Sequence, residues 1–284
     1  MRATERQAVI GALRHPRYEV FPVDSVADKV ADHVSADVTL TVTASPAKGI
    51  ERTVEVAERL AAEGHRVVPH LSARLIRDEA HLKDVLERLA GAGVDDALVV
   101  AGDVREPAGP FADALGLLTV MAELGHGLQE VGITGYPESH PFIDDDVTVQ
   151  AMWDKRRFAT YVVSQVCFDP RVIAAWVRRV RRRGVDLPIH VGVPGPVEVA
   201  RLLGISSSIG VGESARFIRR HPSWLRHLLR AGGYRPSRLV DALAGTLADP
   251  ALRVVGFHFY TFNEVARTEQ WRQATLGRLE EEQA

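Results

Sequence analysis

With one cysteine, Cys167, in 284 residues, the chain has no partner for an internal disulfide and no thiolate set for a metal site. It also lacks an excess of charge of one sign. The 35 Lys and Arg against 37 Asp and Glu give a formal net charge of −2, so no overall field favours nucleic acid or an acidic membrane. No run approaches the ~18 apolar residues of a membrane span. The opening MRATERQAVIGALRHPRYEVFP has no apolar block of about 7–15 residues ahead of a small-residue cleavage site, so the expectation is a soluble, cytoplasmic protein. There is no repeat, low-complexity tract or linker. The balance of 46% hydrophobic and 25% charged residues is that of a globular chain and excludes disorder, collagen and coiled coil. There is no H-E-x-x-H, and His70, His140 and His258 are scattered, so no metal site is expected.

What is present is an alternation of short β-type runs with amphipathic stretches. The strand candidates are 18–21, 37–43, 66–70, 96–103, 130–136, 161–167, 188–193 and 253–260. Between them lie helical patterns such as 50–64, where Val54, Ala57, Leu60 and Ala61 form one stripe and Glu55, Glu58 and Arg59 the other. Gly64 and Gly93 stand where glycine ends a helix. Alternating units imply a parallel sheet, and eight of them in this length imply a closed (β/α)₈ barrel spanning 1–284 as one domain. The segment 196–250 adds helical material before the eighth strand.

Along the second strand, Thr39, Thr41 and Thr43 share one face while Val38, Leu40 and Val42 share the other. The aliphatic face suits packing beneath helices, and the threonine face lines the interior. Barrel enzymes carry their chemistry at the C-terminal ends of the strands. Here those ends read Glu19, Thr43, His70, Asp103, Tyr136, Gln165 and Tyr260. Glu19 and Asp103 divide into a proton donor and a fixed negative charge if their environments separate their pKa values. Glu19 lies among Tyr18, Val20 and Phe21, where desolvation raises a carboxyl's pKa.

Other features read as structure. Cys167, between Val166 and Phe168, fits a buried small apolar residue, and His258, between two phenylalanines, a hydrogen-bonded barrel histidine. The G-x-G-x-x-A run from Gly210 to Ala215 lacks a preceding strand and a following acidic residue, so it is not a dinucleotide fingerprint. RRVRRR at 178–183 fits the solvated end of an outer helix, and WRQATLGRLEEEQA at 271–284 a solvated terminal helix.

Across roughly residues 18–264 the chain resembles the methylenetetrahydrofolate reductase family. The marks are YEVFP, LTVT, PHLSA, AGD, GYPESHP, VSQVCFD and GFHFYTFN, in order and each at a strand end. The resemblance implies reduction of 5,10-methylenetetrahydrofolate to 5-methyltetrahydrofolate by NADH or NADPH, usually through FAD. It implies that Glu19 is the acid that protonates N10 and opens the ring to an iminium, that Asp103 lies near pterin and flavin, and that Gln165 hydrogen-bonds the folate. It also implies that Thr43, His70, Tyr136, His140 and Lys155 shape the folate and flavin pockets.

Departures fall on the flavin side. Ala101 stands where the family has arginine, AMWDKRRFATY (151–161) replaces an asparagine-bearing helix and its Ala-Gly-Ala turn, and TASP follows the second strand. Arg156, Arg157 or Phe158 would occupy cofactor space. The expectation is therefore a reductase that passes hydride directly from NAD(P)H without tightly bound flavin. Thr43, Gln165 and Tyr260 would contact substrate, and His70, Tyr136, His140 and Lys155 would stand on the cofactor side. An FAD-dependent reductase and a non-catalytic folate-binding protein are the alternatives.

Overall fold

The computed structural model describes residues 1–138, 145–197 and 234–282. Helix α1 (Ala3–Arg14) precedes β1 (Arg17–Val20), and α2 (Val26–His33) leads to β2 (Thr39–Val42). Then follow α3 (Gly49–Ala62), β3 (Val67–Ser72), α4 (Glu79–Gly91), β4 (Asp96–Val100), α5 (Ala114–Leu124) and β5 (Glu130–Gly135). The chain continues through α6 (Asp145–Lys155), β6 (Tyr161–Ser164), α7 (Pro170–Arg182) and β7 (Ile189–Pro194). Helix α8 (Ser237–Ala248) and a 3₁₀ turn (Pro250–Leu252) come before β8 (Val254–Tyr260), and α9 (Val265–Glu281) closes the series.

The eight strands pair in parallel, each with its neighbours in sequence, and β8 closes on β1: a (β/α)₈ barrel. Register divides every strand into two faces. Tyr18, Leu40, Leu71, Val99, Ile133, Val162, Val191 and Phe259 turn outward into the large apolar core between sheet and helices. A smaller cluster of Val68, Leu98, Tyr161 and Val163 fills part of the interior. Thr41 pairs in register with both Glu19 and Val68, so the threonine face of β2 looks inward as expected.

Two helices differ from the sequence reading. Helix α1 lies ahead of the first strand, where no element was expected; Val9, Ile10, Ala12 and Leu13 bury its inner face, and it packs on α8 and α9. The terminal helix α9 is not merely solvated. Its buried face contains Thr268, Glu269, Arg272, Thr275, Leu276 and Leu279, packed against α1 and α2. Those buried charges are matched. Arg272 forms a two-pronged contact with Glu269 (2.8 and 2.6 Å) and donates to the Leu13 carbonyl (2.9 Å), while Tyr18 Oη donates to Glu269 (2.9 Å). A fully partnered group of this kind is tolerated inside, whereas removing one member is costly. The outer face of β1 is thereby pinned to α9.

The helix-ending glycines have the expected left-handed backbone, at φ 90° for Gly64 and 73° for Gly93. The RRVRRR run forms the end of α7, where Arg181 donates to the Leu252 carbonyl (2.9 Å) and ties the helix to the entry of β8. Among the described residues no helix is long and apolar enough to cross a membrane. The Gly210–Ala215 run and His140 lie outside the described residues.

Candidate active site

Beside its small apolar cluster the interior carries a column of polar groups, and β1 shows how. Alternation along four residues turns Arg17 and Glu19 inward and Tyr18 and Val20 outward. At the floor, Arg17 meets Asp96 at 3.0 Å and the Tyr161 oxygen at 2.9 Å, and its guanidinium lies 4.2 Å from the Tyr161 ring centre. Tyr161 in turn donates to Asp96 at 2.6 Å. Each group is buried and each has its partner, which is the condition for retaining charge inside a barrel.

One layer up, Glu19 is buried with its Oε2 3.1 Å from His258 Nε2 and 3.9 Å from His70 Nε2. Burial pushes the Glu19 carboxyl up to about 7, opposed only by the field of His70. Burial pulls His70 down to about 4, and burial with the field of Arg17 pulls His258 down to about 3. Both imidazoles are therefore neutral near pH 7, and the carboxyl carries a proton in about half the molecules. The Glu19–His258 contact is accordingly a hydrogen bond to a neutral ring, not an ion pair. His258 Nδ1 is buried without a partner. Orphaned buried N–H groups are rarer than orphaned acceptors, which assigns the ring proton to Nε2 and makes His258 the donor to Oε2. The acid proton then belongs on Oε1.

Of the other rim residues, Tyr260 is nearest to this pair. Its ring meets His258 edge to face at 5.0 Å, and its hydroxyl donates to the Ser164 carbonyl at 3.2 Å. Burial raises its pKa well above the ordinary value, with the fields of Glu19 and Tyr136 adding to it. Tyr136 is also raised by burial, with a contribution from the charge of Asp103, which itself is exposed on the loop after β4. Thr43 is half-buried and held beside the acid's strand, its N–H donating to the Val20 carbonyl at 3.0 Å. Gln165 folds its Oε1 onto its neighbour's backbone, accepting from Val166 N–H at 2.9 Å. Lys155 is buried and lowered by desolvation, opposed by the field of Asp113, which caps the start of α5 and is not in the acid cluster. Cys167 is buried, 3.5 Å from Glu138, and burial pushes its thiol up, as suits an inert small side chain.

His258 was legible only as a barrel histidine, because its contact with Glu19 spans 239 positions. The floor partners Arg17, Asp96 and Tyr161 had a signal, since alternation places Arg17 on the face of Glu19, but nothing in the sequence pairs it with Asp96. Among the described residues no group of three or more His, Cys, Asp or Glu is arranged to hold a metal ion.

The exit of β4 bears on the flavin. Ala101 is exposed and presents a methyl group where the family has a guanidinium. Its carbonyl already accepts from Arg74 N–H at 3.0 Å. Gly102 follows at φ 90°, so close to β3 that a Cβ would stand 1.9 Å from Ser72 Oγ. Arg74 then draws the loop down by donating to the carbonyls of Ala112 (2.7 Å) and Val104 (3.1 Å). The carbonyls of Ala101, Val104 and Ala112 thus all accept from Arg74, and Ala101 has no side-chain donor to offer a flavin. The bulky residues after α6 are engaged locally: Arg156 stacks on Trp153 at 3.5 Å and Arg157 on Phe158 at 4.6 Å.

Comparison with known proteins agrees with the motifs. Residues 23–210, more than half the chain, match the family model "Methylenetetrahydrofolate reductase". Methylenetetrahydrofolate reductase 2 of Saccharomyces cerevisiae is 26% identical over 123 residues, which is 39% of this chain and 20% of that protein. The match therefore spans about a fifth of the relative's length. Among solved structures, a class V chitinase mutant from Cycas revoluta crystallised with (GlcNAc)3 aligns at TM-score 0.53 and 10% identity, covering 92% of this chain and 99% of that one. Dihydropteroate synthase from Thermus thermophilus aligns at TM-score 0.47 and 15% identity, covering 94% and 92%. The chitinase likeness is one of fold alone. By its matched length and its motifs, the chain belongs to the methylenetetrahydrofolate reductase family.

Proposed function

We propose that this protein reduces 5,10-methylenetetrahydrofolate to 5-methyltetrahydrofolate, with hydride passing directly from NAD(P)H to the folate. The observation that carries this reading is Glu19: a buried carboxyl at the barrel mouth, shifted to about 7 and hydrogen-bonded to a neutral imidazole. A proton donor working near neutral pH needs such a value. Glu19 gives its proton to N10, the N10–methylene bond breaks, and the methylene carbon becomes an iminium able to accept hydride. The nicotinamide supplies that hydride and leaves as NAD(P)⁺; one proton from solvent restores the acid.

The remaining residues bind and orient. His258 Nε2–H stays on Oε2 and stabilises the carboxylate left after proton transfer, and burial, with the field of Arg17 beneath, keeps that ring neutral. Thr43, Gln165 and Tyr260 contact the folate, with Asp103 a fixed negative charge at the pterin. His70, Tyr136 and Lys155 stand on the nicotinamide side, together with His140, which is assigned by resemblance alone. The family is typically flavin-dependent; the donor-free Ala101, and β4-exit carbonyls already taken up by Arg74, support transfer without flavin.

An absorbance spectrum and an NADH-oxidation assay test this together. A colourless protein that oxidises NADH only with methylenetetrahydrofolate is the expected result, and stoichiometric yellow FAD would contradict it. Glu19→Gln should lower turnover by about 10²–10⁴-fold with the fold intact. An unchanged rate removes Glu19 from the acid's role.

A further inference from the structure

The pairing of β1 with β8 ends at Glu19 opposite Tyr260. Beyond that point β8 turns, and two consecutive non-glycine residues take left-handed backbone, Phe262 at φ 52° and Asn263 at φ 59°. Such conformations persist only where the surroundings over-determine them, and they gather at functional sites. The turn directs two side chains at the backbone of Glu19 itself and of Phe21, two residues on. Thr261 Oγ1 donates to the Glu19 carbonyl at 2.6 Å and accepts from Asn263 N–H at 3.2 Å, which closes the turn on itself. The Asn263 carboxamide faces Phe21, where Oδ1 accepts from the Phe21 N–H at 2.8 Å and Nδ2 donates to the Phe21 carbonyl at 3.3 Å. One side chain thus presents the acceptor and the donor that a neighbouring strand would have presented. It does so at the last position able to donate before Pro22, which has no N–H.

We propose that Thr261 and Asn263 are positioning residues that clamp the exit of β1 and so hold the Glu19 side chain at its depth inside the barrel. The proposal rests on Glu19 being the proton donor. β1 is only four residues long, and a carboxyl denied water is drawn toward the mouth whenever its strand end loosens. The outer face of the strand is secured through Tyr18 and Glu269, and the floor end through Arg17 and Asp96. The clamp secures the third point, the end nearest solvent.

The test is a ¹³C NMR titration of glutamate side-chain carboxyls on the ligand-free protein, with the Glu19 signal assigned by its loss in Glu19→Gln. In Asn263→Ala the Glu19 midpoint should fall by at least one pH unit toward the ordinary carboxylate range. Turnover at pH 7 should drop about fivefold or more, with the KM for folate changed by less than about twofold. Thr261→Val should act in the same direction and Thr261→Ser should restore the wild-type midpoint, which decides the matter if Asn263→Ala does not fold. A Glu19 midpoint unmoved in folded Asn263→Ala or Thr261→Val overturns the clamp. A midpoint that moves in a protein without reductase activity upholds the clamp and removes the reductase reading instead.

Discussion

Glu19 has two imidazole neighbours, and both favour its ionised form against the burial that keeps its proton on. His258 at 3.1 Å fixes one oxygen, and His70 at 3.9 Å acts through its field. Because the proposed proton donor must carry its proton, the rate should fall about tenfold per pH unit above pH 7. That limb of the kcat–pH profile should vanish in Glu19→Gln. Stability should follow the same proton. Burial raises the folded pKa above the unfolded value of 4.5, so the stability Glu19 contributes is complete below 4.5 and is lost as pH rises through about 7. Denaturant unfolding at pH 8 should therefore show Glu19→Gln more stable than wild type by up to roughly 3 kcal/mol, with the gap closing below pH 4.5. An unchanged difference between pH 4 and 8 would contradict the shift. His70 and His258 run the other way: depressed from 6.5, their contribution is present above 6.5 and lost as pH falls through about 4 and 3. The burial and raised pKa of the Glu19 carboxyl were legible from strand alternation and apolar neighbours. Its imidazole partner was not, because a contact across the barrel leaves no periodic trace.

The strands were legible as elements, and their ends were not. β4 stops at Val100 instead of continuing to Asp103, because Gly102 turns left-handed where the chain presses on Ser72. Gly102→Ala should lower stability by roughly 2 kcal/mol, from backbone strain and from a Cβ 1.9 Å from Ser72 Oγ. Adding Ser72→Gly should recover part of that loss by removing the overlap while leaving the strain. Thermal melts of the two variants read this out, and a Gly102→Ala melt equal to wild type would mean the loop has another way to sit. The terminal helix was read as solvated because its inner face mixes Thr, Glu and Arg with leucine. Only the three-dimensional pairing of Arg272 with Glu269 and Tyr18 shows why those charges are inside. The turn after β8 left a motif, HFYTFN, but not its geometry; the spacing of Thr261 and Asn263 says nothing of Glu19 or Phe21 until β8 closes on β1.

At the scale of the molecule, eight alternating units in 284 residues were enough to fix a closed barrel, because a parallel sheet of that many crossovers has few other ways to bury both faces. The barrel then does for function what the sequence could not: it brings β1, β3 and β8 together so that residues 19, 70 and 258 meet. It also separates an apolar shell outside the sheet from an interior whose polar column stands beside a smaller apolar cluster. What that column is for is tested most directly by following one hydrogen. The purified protein would be given methylenetetrahydrofolate and NADH bearing two deuterium atoms at nicotinamide C4, and the methyl group of the product read by mass spectrometry. Direct hydride transfer predicts one deuterium per methyl group at the enrichment of the NADH; a methyl group carrying solvent hydrogen in its place would contradict it.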